Sequence, residues 1–110
     1  MAIQHAKPGE VLEVGPLGDA IAATKTRALL KTESVEVLRL NLPAGKTIAE
    51  HKAPGEITVQ CIEGRVTFTA MGQSHELTAG KLLYLSAAEP HAVQAQEDSS
   101  LLVTIIFGKQ

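Results

Sequence analysis

His51 and His91 hold the greatest chemical potential in this sequence. A pair of imidazoles can hold a divalent ion, relay a proton or orient a polar ligand, depending on what else faces them. Each lies in a short apolar segment punctuated by Gly and Pro. His5 instead falls in the N-terminal segment and His75 in the polar run Gln73-Ser74-His75-Glu76-Leu77, and both are expected at the surface. Cys61 offers a thiol that is either a soft metal ligand or a buried, inert side chain. Tyr84 is either a hydrogen-bond donor in a pocket or a core aromatic with its hydroxyl at the rim. Glu56 follows the turn Pro54-Gly55, where an exposed carboxylate is the ordinary outcome.

The elements that must position these groups are strands. Apolar runs rich in Val, Ile, Leu and Thr cover Ser34 to Leu42, Lys46 to Lys52, Glu56 to Ile62, Arg65 to Met71, Lys81 to Leu85, His91 to Ala95 and Leu101 to Phe107. Between them stand turn formers such as Pro43-Ala44-Gly45, Pro54-Gly55, Ala79-Gly80 and Glu89-Pro90. Long crossover helices have no room, and only Pro16 to Lys25 has space for a turn or two of helix. In Arg65 to Met71, Val66, Phe68 and Ala70 alternate with Arg65, Thr67 and Thr69, which predicts one buried and one wet face. Leu82, Leu83 and Leu85, and Leu101 through Ile106, are apolar on both faces and need cover on each side. A second sheet supplies one cover; the other comes from a subunit partner or from the chain's own N-terminal segment. Gln60, on the strand phase opposite to Ile57 and Cys61, is expected on the exterior or at a subunit contact.

Composition narrows the function classes. The 110 residues contain no repeat and no Ser/Gly-rich or Pro-rich linker, which predicts one domain spanning 1–110. Hydrophobic residues make up 45% of the chain, and 10 basic and 12 acidic residues are interspersed, so a packed core is expected rather than disorder. A net charge of −2 leaves no basic stripe for phosphates, and Phe68, Tyr84 and Phe107 are too few for a base-stacking platform, so nucleic acid is not an expected partner. The lone Cys61 excludes an internal disulfide and a multi-Cys zinc site. Met1 to Val14 has no secretory pattern, and Leu101 to Phe107 is too short to span a bilayer, so the expected location is the cytoplasm, away from membranes.

The segment Gly45-Lys-Thr-Ile-Ala-Glu-His51-Lys-Ala53-Pro-Gly-Glu-Ile57, continuing to Glu63-Gly64, resembles the first motif of the cupins: a Gly, five residues, His-x-His, then a Glu and a Gly. Gly80 through Ala95, with Pro90 and His91, resembles their second motif, although Ser86, Ala88 and Ala95 replace its Pro, Gly and Asn. The two motifs, at about 45–64 and 80–95, flank a short hairpin around Gly72. The resemblance implies an all-β fold, the double-stranded β-helix or jelly-roll-like barrel, with the ligand site inside the barrel where the two motif hairpins meet. In metal-binding cupins the motif histidines and Glu hold Fe, Mn, Zn, Ni or Cu. Carried over residue by residue, His51 is the first ligand and His91 the last, while Ala53 and Ile57 stand where the second His and the Glu would be. Neither replacement offers a lone pair.

The pocket expected on this basis comprises His51, Ile57, Cys61, Tyr84 and His91, with Cys61 in strand phase with Ile57. Glu56, one position before the motif Glu, becomes a third metal ligand only if a bulge turns it inward to give a two-His, one-carboxylate set suited to iron. The expected function is a small-molecule-binding cupin without a complete metal site. The alternative is a metal-dependent enzyme of dioxygenase or isomerase type using His51 and His91, with a third ligand from Glu56, Cys61 or the substrate. Small cupins also resemble the arabinose-sensing domains of bacterial regulators, but no helix-turn-helix segment is present for binding DNA. A homodimer is expected, from the two-sided apolar strands and the family's habit of pairing sheets.

Overall fold

A computed structural model describes residues 5–107. A 3-10 helix at Gly18–Ala23 precedes β1 (Arg27–Lys31), β2 (Val35–Leu42), β3 (Thr47–His51), β4 (Glu56–Glu63), β5 (Arg65–Ala70), β6 (Gln73–Thr78), β7 (Leu82–Leu85), β8 (His91–Ala95) and β9 (Ser99–Ile106). All strand pairs are antiparallel. They form a five-stranded sheet ordered β1-β2-β9-β4-β7 and a four-stranded sheet ordered β3-β8-β5-β6. Strands distant in sequence thus pair within each of two facing layers, giving the double-stranded β-helix. No helix among the described residues is long and apolar enough to cross a membrane.

The period-2 pattern builds the core. Val66, Phe68 and Ala70 of β5 turn inward and meet Ile57, Val59 and Cys61 of β4 and Leu101 and Val103 of β9. Full burial of side chains of this size stabilises by roughly 1.5–3 kcal/mol each. Two strands lie outside the apolar runs: β1 is a three-residue apolar stretch, Ala28 to Leu30, between two charged residues, and β6 holds Leu77 as its one large apolar side chain. Pairing to the β2 and β5 edges fixes them as strands instead. His75, expected at the surface, pairs with Phe68 and so shares that residue's inward face, half-buried on edge strand β6.

Three bulges depart from strict alternation, one in β1 between Ala28 and Leu30, and the two in β3 and β4 re-aim a polar side chain. Between Ile48 and His51, β3 advances three residues while β8 advances two, from Val93 to His91. The extra residue brings His51 onto the inward face of Ile48; strict alternation would have pointed it out. Between Cys61 and Glu63, β4 advances two residues while β9 advances one, from Leu101 to Ser100. That turns Glu63 onto the outer face of the five-stranded sheet.

Outside that sheet, Glu63 anchors the N-terminal segment. Its carboxylate accepts N–H bonds from Leu17, at 2.5 Å, and Gly18, at 3.1 Å. Arg39 lies 3.7 Å from the same carboxylate and donates to the Gly15 carbonyl at 2.6 Å. Arg39 Nε also donates to Ser100 Oγ at 2.7 Å, and Ser100 donates onward to Asn41 Oδ1 at 2.9 Å. All three polar residues are buried and each is satisfied, as burial of such groups requires. The N-terminal segment therefore covers one end of the outer face. Toward the β7 edge Leu82 and Tyr84 remain exposed, as does Ile106 at the end of β9.

Candidate functional site

The two sheets splay at one end around a cavity of about 350 Å3, within the range of small-molecule sites. β4 and β9 supply its floor through Ile57, Val59, Leu101 and Val103, and β5 closes the depth with Phe68. The four-stranded sheet brings His91 from β8 and His51 from the bulge of β3. The loop from β3 to β4 follows directly and puts Lys52 and Ala53 on the wall. That loop can close over β9 because residue 55 is glycine: a Cβ there would sit 1.8 Å from the Ile106 carbonyl oxygen.

His51 and His91 face each other as a cross-strand pair, ring centroids 4.3 Å apart and planes at 63°. His91 is 6% exposed and stacks on Phe68 at 5.5 Å, whereas His51 is exposed. Both rings are held alike. His51 Nδ1 lies 2.9 Å from the Ala49 carbonyl and His91 Nδ1 lies 2.9 Å from the Glu89 carbonyl. A carbonyl only accepts, so each Nδ1 carries the proton and each Nε2 is left free to meet a ligand.

The expected site residues divide between two ends of the barrel. His51, Ile57 and His91 line the cavity. Cys61 does not: it lies fully buried in the packed end, its Sγ 3.4 Å from the Glu63 carbonyl, and burial pushes its thiol pKa up. It shares strand phase with Ile57, but four residues displace it roughly 13 Å along the strand. Tyr84 is 58% exposed on the outer face of the five-stranded sheet, where its hydroxyl donates to Glu56 Oε2 at 2.6 Å, and that bond pushes the phenol pKa up. Glu56 is therefore on the outer face as well; the bulge of β4 lies at Cys61–Glu63, not at its own position. Gln60 is exposed on that face too. Lys52 and the stacking of Phe68 on His91 were not anticipated; adjacency to His51 was the available signal for Lys52, whereas cross-strand stacking leaves none in a single sequence.

A two-sheet antiparallel barrel with an internal apolar cavity, entered beside two facing histidines, defines the class. The cupin domain profile matches residues 38–107, and the chain belongs to the cupin family. It is similar in structure to a conserved protein of unknown function from Streptococcus pyogenes, with TM-score 0.75 and 19% identity over 100% of this chain and 98% of that one. A cupin superfamily protein from Desulfitobacterium hafniense DCB-2 gives TM-score 0.77 and 18% identity over 98% and 100%. Salicylate 1,2-dioxygenase from Pseudaminobacter salicylatoxidans gives 0.63 and 20% over 66% of this chain and 21% of that one. These likenesses establish the fold. No curated protein matches the sequence.

Transition-metal binding is frequent in the family, so the donor set decides whether this cavity suits it. Ala53 and Ile57 line the wall at the positions of the missing ligands and offer no lone pair. Among the described residues no three His, Cys, Asp or Glu side chains converge. Two imidazoles alone do not fit a retained metal centre, which draws at least three protein ligands in catalytic sites.

Proposed function

We propose that this cupin binds a small, largely apolar molecule in the barrel cavity, with His51 and His91 orienting its polar end and no resident metal. The observation that carries this reading is the lining itself: an apolar chamber whose only side-chain polar groups among the described residues are His51, Lys52 and His91. Apolar walls supply affinity by desolvation, and a few convergent polar groups supply orientation. The two Nε2 atoms, with Nδ1–H donated to backbone carbonyls, present paired acceptors to a ligand.

A metal-dependent enzyme of dioxygenase or isomerase type is the second reading, and one observation favours it. Donation of Nδ1–H to a backbone carbonyl is the arrangement that fixes metal-ligating histidines, and both rings have it. Elemental analysis of tag-free protein, beside a His51→Ala, His91→Ala double variant, separates the readings. Binding without a resident metal predicts that both are empty after incubation with Fe, Mn, Zn, Ni or Cu and desalting. About one metal per chain in the wild type alone would establish the second.

We also propose that the chain acts in the cytoplasm as a homodimer, joined through the exposed part of the outer face that bears Leu82, Tyr84 and Ile106. Sedimentation at micromolar concentration is expected to give a dimer, and Leu82→Glu a monomer; a wild-type monomer would refute it.

A further inference from the structure

Among the described residues, the one charged side chain on the cavity wall is a cation, Lys52. Of the described side chains lining the cavity, the only ones able to make strong hydrogen bonds belong to His51, His91 and Lys52. No carboxylate, hydroxyl or amide side chain is among them. The backbone carbonyls of Ala49 and Glu89 are occupied by the histidine Nδ1 atoms, and that of Ala53 accepts the Ala88 N–H at 3.1 Å. The depth, by contrast, is hydrocarbon: Phe68, Val59 and Leu101 are each at most 1% exposed. Exposure rises toward His51 and Lys52, so the nitrogen groups stand at the mouth and the apolar wall lies behind them.

We propose that the cavity selects small amphipathic monocarboxylates, the hydrocarbon body against Phe68 and Leu101 and the carboxylate at the mouth between Lys52 and the imidazoles of His51 and His91. The inference rests on the reading of the cavity as a ligand site and names its ligand class. A carboxylate pairs with the Lys52 ammonium in a charge-assisted contact. An ammonium ligand meets Lys52 as a like charge and finds no side-chain carboxylate on the wall. A neutral amide satisfies the imidazoles but leaves the Lys52 charge without a partner.

The test is a matched series with one hydrocarbon body: hexanoate, hexanamide and hexylamine, titrated by calorimetry and by methyl NMR of Val103, Ile105 and Leu101. Hexanoate is expected to bind about tenfold more tightly than hexanamide, the gain of one charge-assisted contact at a partly exposed site, and hexylamine most weakly. From butanoate to octanoate each methylene is expected to tighten binding about fourfold until the chamber is full. Lys52→Gln, an exposed change, is expected to erase most of the preference for hexanoate over hexanamide. Equal binding of hexanoate and hexanamide, or a preference that survives in both Lys52→Gln and His51→Gln, overturns the carboxylate assignment while the cavity remains a ligand site. If no member of the series shifts the cavity methyls, the ligand-site reading falls as well.

Discussion

The two ends of this barrel are made of the same strands and do opposite things. Along β2, Leu42 lies in the packed end, and Leu38, four residues earlier on the same face, lines the cavity. Along β4, Cys61 is sealed in the packed end while Ile57 meets the chamber. Along β8, Ala95 is sealed while His91 meets the chamber. Strand phase is identical at both ends, so what separates a structural from a functional position is depth along the barrel. The packed end is closed by small residues that let the sheets approach, Ala95, Ser99 and Cys61 among them. The open end is held apart by the β3 bulge and the Lys52–Gly55 loop.

That contrast is sharpest in matched leucines. Leu42→Ala is expected to cost about 2–5 kcal/mol, because a close-packed site loses both transfer energy and a filled volume. Leu38→Ala is expected to cost less than half of that, since it enlarges a space that already exists. Urea unfolding of the two variants measures the difference, and equal losses would mean that the open end is as tightly packed as the other.

On the outer face the corresponding test is Glu63→Ala. It strands the buried Arg39 guanidinium and releases the two N–H groups of Leu17 and Gly18. A loss of about 2–3 kcal/mol is expected, below that for a fully buried pair because the Glu63 side chain is 17% exposed. Hydrogen exchange should accelerate selectively at residues 15–23. Uniform acceleration would show that the N-terminal segment is not held by this anchor.

A smaller effect separates the packed-end thiol from a reactive one. Burial favours the neutral form of Cys61 and raises its pKa in the fold. Its contribution is therefore whole below the ordinary thiol value, about 8.5, and is lost as pH rises through the higher folded value. Stability should decline on the alkaline side, less steeply in Cys61→Ala, and thiol reagents should modify the native protein only as fast as it opens. Immediate modification would move Cys61 to the accessible end.

Much of this was legible in the sequence. Seven strands and both motif histidines follow from period-2 runs, turn residues and motif spacing, and the all-β cupin barrel follows from them. Four things were not. β1 and β6 are strands through pairing, which leaves weak local signal. The β3 bulge turns His51 inward against simple alternation, so the motif distance located the residue but the pleat alone would have aimed it out. Cys61 and Tyr84 were assigned to the pocket from phase or proximity in sequence, and neither encodes depth along the barrel or which face of β7 is covered. His75 was assigned to the wet face, and its register opposite Phe68 places it on the other.

The central claim is that the open end is a ligand chamber whose donor set stops at two imidazoles. The most direct measurement compares metal retention in the wild type with that in Ala53→His, Ile57→Glu, which puts back both missing donors on walls that already face the chamber. Each protein is incubated with Fe, Mn, Zn, Ni or Cu, desalted and subjected to elemental analysis. The account predicts an empty wild type and about one metal per chain in the double variant. A wild type that retains one equivalent through desalting, and loses it in His51→Ala, would contradict it.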